Sequence, residues 1–111
     1  MESLTEQEIK AWIKQKQANQ FLLDLRTVLQ TKAGRNIYCW LMDTCRMSEP
    51  SFTGNSQTFF NEGMRKVGLE LQSQMFLLQD GLDLKHQAEQ EYLRRGNQFL
   101  LEIQEELRNR E

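Results

Sequence analysis

Apolar residues recur along most of this chain at steps of three and four positions, which is the period of an amphipathic helix. The alternating β-branched residues that strands require are scarce. The longest regular stripe follows the middle of the chain and comprises Phe60, Gly63, Met64, Val67, Leu71, Met75 and Leu78. The pattern therefore predicts an all-α protein.

Capping residues and one loop predict where the helices begin and end. Thr5 and Glu8 have the spacing of a capping box, in which each side chain binds a free backbone N–H at a helix start. The hydroxyl of Thr31 is suited to cap a second helix, and turn-forming residues cluster at 46–56 around the single proline, Pro50. The core helices predicted from these signals span about 6–30, 31–46 and 56–79.

The C-terminal part of the chain carries a narrower apolar stripe, with the spacing found in coiled coils. A mostly polar segment containing Gly81 precedes it, which leaves open whether this amphipathic helix is separate or continues the third one. The stripe comprises Tyr92, Gly96, Phe99, Leu100, Ile103 and Leu107. We divide the chain into an N-terminal arm (1–20) that continues into the core, a helical core (21–80) and a C-terminal amphipathic helix (81–111), a candidate oligomerisation segment.

Length and charge restrict the classes of partner. A chain of 111 residues suffices for one domain. Its 14 basic and 16 acidic residues are interleaved, so the sequence offers no concentrated basic surface for DNA. No apolar run reaches the roughly 18 residues that span a bilayer, and the N-terminus lacks a secretion-signal pattern. We expect a cytosolic protein with no direct nucleic-acid binding and no transmembrane segment.

The sequence predicts no catalytic, cofactor or metal site. His86, the single histidine, lies in a polar stretch and is expected at the surface. Cys39 and Cys45 are six residues apart, which places them about 240° apart around a helix axis and prevents them from facing one metal ion. The acidic residues of the last helix fit its solvated face. We expect a protein that is not an enzyme and that uses no cofactor.

Aromatic and apolar residues are the candidates for contact with other proteins. Trp12 lies beyond a polar gap on the first helix, and exposed aromatic residues commonly anchor protein contacts. Phe52 leads through a turn into Phe59 and Phe60, with Arg65 in a polar rim. The alternative for all of these aromatic residues is burial in the core. The candidates are Trp12, Phe52, Phe59, Phe60, Arg65, Tyr92, Phe99, Ile103 and Leu107.

Two segments resemble a known family. DLRTVLQTKAGRNIYCWLMDTC (24–45) and SFTGNSQTFFNEGMRKVGLEL (51–71) are similar to a family of small helical proteins of tailed bacteriophages, mostly podophages, encoded in the portal, scaffold and capsid gene block. The second motif is the more specific, because it combines a loop, a cap and two glycines. The resemblance covers less than half of the chain. It implies an accessory of the phage particle or of its assembly and transfers no catalytic residues.

Two functional hypotheses follow from the resemblance and the helical pattern. The first is a virion-associated or assembly protein that contacts portal, capsid or internal components, other phage structural proteins or further copies of itself. It would be made in the bacterial host cytoplasm and then enter the virion. The alternative is a small phage regulator that binds and inhibits a host protein, and such a regulator would be absent from purified particles.

Overall fold

The structure is a computed structural model that describes residues 3–47, 54–55 and 57–111. The described residues form an all-helical fold, as the sequence predicts, and the helices lie close to the predicted bounds. The third and fourth are separate, because the chain leaves helical geometry after Phe76 and a new helix begins at Gly81. The four helices are α1 (Glu6–Leu29), α2 (Lys32–Thr44), α3 (Gln57–Phe76) and α4 (Gly81–Asn109).

Local capping fixes the first two helix starts. The backbone N–H of Glu8 donates to Thr5 Oγ1 at 3.2 Å, and the backbone N–H of Thr5 donates to Glu8 Oε2 at 2.9 Å, which completes the capping box. Thr31 Oγ1 accepts from the backbone N–H of Gly34 at 2.9 Å and caps α2. Two residues therefore suffice to turn the chain from α1 into α2.

The core is small and involves all four helices. It lies where the end of α1, most of α2, the end of α3 and the start of α4 meet. The prediction of three core helices with one added helix is therefore only partly right, because α4 supplies Leu84 and Ala88 to the core itself. The buried apolar cluster comprises Leu25, Leu29, Tyr38, Cys39, Met75, Leu84 and Ala88.

The molecule is elongated because α1 and α4 extend away from this core. At 1.5 Å per residue the two helices are about 36 and 44 Å long, and the longest axis measures 79 Å. Arg26 near the end of α1 contacts Asp80 just before α4, with 3.2 Å between Nη2 and Oδ2. The two helices therefore run nearly end to end, and their free ends project from opposite ends of the molecule.

The surface area reflects this shape. A compact monomer of 13.2 kDa exposes about 6,400 Å², whereas this chain exposes 9047 Å². The radius of gyration is 19.8 Å, against about 13 Å for a compact chain of this length. Roughly 2,600 Å² of surface thus exceeds what a compact fold would leave in solvent.

Candidate interaction surfaces

The end of α4, residues 93–109, forms a C-terminal arm that extends beyond the core. Its apolar residues touch no other helix closely enough to be buried, and the leucines and isoleucine among them are all more than half exposed. A Cβ added at Gly96 would meet no atom within 4 Å. The residues that face one side of the arm, here called the C-terminal seam, are Leu93, Gly96, Leu100, Ile103 and Leu107.

Phe99, Ile103 and Leu107, predicted from sequence as contact residues, lie exposed on this arm. Tyr92 differs from them, because its ring packs partly against the core. Its hydroxyl donates to Asp43 Oδ2 at 2.7 Å, and this bond raises the pKa of Tyr92. Tyr92 thus ties α4 to the end of α2, immediately before the arm begins.

The N-terminal arm is the second projecting surface. Every residue of this arm that the structure describes, from 3 to 20, is exposed. Trp12, which the sequence left between burial and contact, is exposed together with Ile9 and Ile13. The ammonium of Lys16 lies 5.6 Å from the centroid of the Trp12 ring, within the range of a cation–π contact. The arm presents an apolar patch that its own chain leaves uncovered.

The aromatic residues at the start of α3 form a third exposed group. Phe59 is 82% exposed and Phe60 is also exposed, so neither closes the core. Arg65 turns inward instead, and its Nη1 donates to the carbonyl of Met47 at 3.0 Å. Phe52 lies outside the described residues. The structure therefore places Phe59 and Phe60 on the surface and gives Arg65 a structural contact with the end of the α2 segment.

An open groove between α1 and α3 was not evident from the sequence. It has a volume of about 620 Å³, and its walls include Ala18 and Phe21 from α1 and Val67 and Leu71 from α3. Val67 belongs to the stripe that predicted the core, yet it is mostly exposed. The period of the stripe identified a helix correctly, but it could not show that only part of the stripe is covered.

The chemistry of the buried groups favours packing over reaction. A cleft of about 470 Å³ between α2, α3 and α4 is lined in part by the buried residues Tyr38 and Cys39. Burial raises the pKa of Tyr38 to about 12 and that of Cys39 to about 11. A thiol with such a pKa stays protonated at neutral pH and is a poor nucleophile. Within the described ranges, no three or more His, Cys, Asp or Glu side chains converge on a point where a metal could bind.

The helices also lack the features of a membrane span, since none in the described part is both long and apolar enough to cross a bilayer. Compared with known proteins, the sequence matches no family model, no curated protein and no solved structure.

Proposed function

We propose that this chain is a bacteriophage virion-associated or assembly protein that acts through helix-mediated contacts with portal, capsid or internal components. The observation that supports action by contact is the exposure of apolar residues on two projecting helical arms. The phage context rests on the resemblance of segments 24–45 and 51–71 to the family from the portal, scaffold and capsid gene block.

The energetics support a role in binding. Complete burial of a fully exposed leucine or isoleucine side chain stabilises a protein by about 1.5–3 kcal/mol. Each arm carries several such side chains that are roughly half exposed, so covering each one can contribute part of that amount. Monomeric proteins rarely leave large contiguous apolar patches uncovered. A standard protein interface removes about 800 Å² from each partner, which is less than the excess surface of this chain. The arms can therefore be covered by partners without any change of the core.

The distribution of the apolar surface suits a connector. The N-terminal arm with Trp12 and the C-terminal seam lie toward opposite ends of a molecule 79 Å long. A single chain can thus contact two components that do not touch each other. An inhibitor of one host enzyme would need only one such surface, so the paired arms favour the structural role over the regulatory one.

The proposal includes no catalytic activity. The two cysteines are buried, Cys39 with a raised pKa, and His86 is exposed on α4. A catalytic site requires a nucleophile or base held within hydrogen-bond reach of a partner and of a substrate. Such an arrangement is not evident among the residues that the structure describes, whereas surfaces for contact are extensive.

The test is quantitative mass spectrometry of purified phage particles and of assembly intermediates. A fixed copy number related to the symmetry of the portal or capsid is expected. A recombinant phage with Trp12→Glu should lose the protein from its particles, whereas the matched Gln17→Glu, which adds the same charge to the same arm, should not. Absence from particles and intermediates, with recovery on one host protein, would refute the proposal in favour of the host regulator.

A further inference from the structure

The C-terminal seam has the heptad pattern of a coiled coil. Leu93, Leu100 and Leu107 recur every seven residues, and Gly96 and Ile103 each lie three positions after a leucine. The leucines thus occupy the a positions of a heptad repeat, and Gly96 and Ile103 occupy the d positions. In a coiled coil the a and d residues of one helix pack against those of another. The seam needs one more helix of the same kind to be covered.

We infer that this helix is the C-terminal arm of a second copy of the chain, in antiparallel orientation. The inference rests on the proposed function for the premise that the arms act by protein contact, and it names the partner of one arm. The N-terminal arm then remains available for a different component.

Gly96 determines the orientation. In a parallel pair equivalent positions face each other, so Gly96 would meet Gly96 of the second copy and leave a void between the layers of Leu93 and Leu100. In an antiparallel pair an a position faces a d position. Leu107 of one copy then fills the open space over Gly96 of the other, and Leu100 faces Ile103. The antiparallel pair therefore packs without this void.

The charges favour the same orientation. With Leu100 facing Ile103, Arg95 of one copy lies about 3 Å along the axis from Glu106 of the other, on the same side of the seam. Arg95 is at a c position, next to the g positions, and its long side chain can reach across to the carboxylate. In a parallel pair, Glu106 at a g position would instead approach Glu111 at an e position, where like charges disfavour a coiled coil. Antiparallel pairing thus replaces a repulsion with an attraction.

The antiparallel contact limits the assembly to two copies. Pairing about a two-fold axis near residues 101 and 102 uses the same surface on both copies, so the contact ends at a dimer and does not propagate into a filament. The cores lie beyond the two ends of the paired arms. Both N-terminal arms consequently stay exposed, and the dimer presents two identical contact sites to other components.

The first test is sedimentation velocity of the full chain over a range of concentrations. A species with twice the mass of 13.2 kDa is expected at high concentration. Leu100→Glu should abolish it, because it places a charge in the seam. Leu101→Glu is the matched control: Leu101 is 59% exposed, close to the 53% of Leu100, but it points away from the seam. The control should dimerise like the wild type.

The second test determines the orientation. Glu106→Arg should raise the dimer dissociation constant about tenfold, because two symmetric attractions become repulsions. The double variant with Arg95→Glu should restore most of the affinity. In a parallel pair the same substitution should lower the dissociation constant, since the arginine introduced at position 106 would then attract Glu111. Circular dichroism of each variant verifies that the helices are retained.

Several outcomes would overturn the inference: a monomer at every concentration, tighter association of the Glu106→Arg variant, or a dimer that is lost with Trp12→Glu and kept with Leu100→Glu. These results are separate from the proposed function. A monomeric protein found in particles at a fixed copy number would refute antiparallel pairing and leave the phage role standing. An antiparallel dimer absent from particles and intermediates would do the reverse.

Discussion

Arg35 and Glu91 form a bidentate ion pair that joins the start of α2 to the middle of α4. Arg35 Nε lies 2.9 Å from Glu91 Oε2, and Arg35 Nη2 lies 2.9 Å from Glu91 Oε1. The guanidinium also donates through Nη1 to the carbonyl of Leu29 at 2.9 Å. One buried arginine thus holds the last residue of α1 and the helix that carries the C-terminal arm.

Arg35→Met should destabilise the protein by about 3 kcal/mol, because the partly buried carboxylate of Glu91 loses its charge partner and the buried carbonyl of Leu29 loses its hydrogen-bond donor. The measurement is urea unfolding followed by circular dichroism. Arg26→Met is the control, since the pair of Arg26 with Asp80 lies at the surface and exposed pairs contribute little. Equal losses in the two variants would contradict the structural role of Arg35.

The ion pair also predicts a dependence on pH. Hydrogen bonds from Arg35 hold the pKa of Glu91 below its ordinary value of 4.5. The unfolded chain therefore takes up the proton first as pH falls. The stability that ionised Glu91 contributes is fully present above pH 4.5 and is lost as pH falls through the lower pKa of the folded state.

Glu91→Gln should accordingly lower the melting temperature at neutral pH and flatten its fall below pH 4.5. Thermal melts at a series of pH values measure both effects. The pKa of Asp80 is also lowered, chiefly by a hydrogen bond from Arg26. The melting temperature of the variant should therefore still fall somewhat at acid pH. An unchanged slope in Glu91→Gln would show that Glu91 does not contribute to the acid sensitivity.

The parts of the fold that sequence predicts are the local ones. The capping box of Thr5 and Glu8 and the cap at Thr31 involve residues three positions apart, so the sequence contains both partners side by side. Arg35 and Glu91 are 56 positions apart, and no local pattern links them. The period of α3 predicted its length, but Val67 and Phe60 lie outside the small core, because coverage depends on where α1 and α2 end.

The exposure of the predicted contact residues on α4 also depends on the tertiary structure. The apolar periodicity of Phe99, Ile103 and Leu107 is the same for a helix in a core and for a helix in solvent. Their exposure follows from the length of α4, which continues well past the last residue that α2 can contact. Tyr92 belongs to the same predicted stripe, but its hydroxyl meets Asp43 of α2, a contact that only the tertiary structure reveals.

Because the core is small, substitution of a central core residue should lower the stability of the protein strongly. Leu29 is 0% exposed and Leu29→Ala should cost about 3 kcal/mol, a large share of the total stability of a small domain. Leu23 lies on the same helix and is 62% exposed, so Leu23→Ala should have little effect. Chemical unfolding compares the two variants. A similar loss for both would mean that the face of α1 that carries Leu23 is also covered.

Burial of the thiols predicts low reactivity. Because burial raises the pKa of Cys39 to about 11, and Cys45 is also buried, neither thiol should react quickly with an aromatic disulfide reagent at neutral pH. In denaturant both thiols should react fully, and this reaction gives the total number of thiols against which the native protein is compared. Rapid reaction of the native protein would indicate that the end of α2 opens frequently.

Substitution by alanine should change the free energy of unfolding in opposite directions at Gly34 and at Gly63. A Cβ at Gly34 would lie 1.9 Å from the carbonyl oxygen of Val28, so Gly34→Ala must displace the backbone where α1 turns into α2. At Gly63 a Cβ meets nothing within 4 Å, and alanine is favoured over glycine inside a helix by about 1 kcal/mol. Gly63→Ala should therefore raise the free energy of unfolding by about that amount, whereas Gly34→Ala should lower it substantially. Equilibrium unfolding of the two variants beside the wild type measures both signs, and a destabilising Gly63→Ala would show that another surface packs against that face of α3.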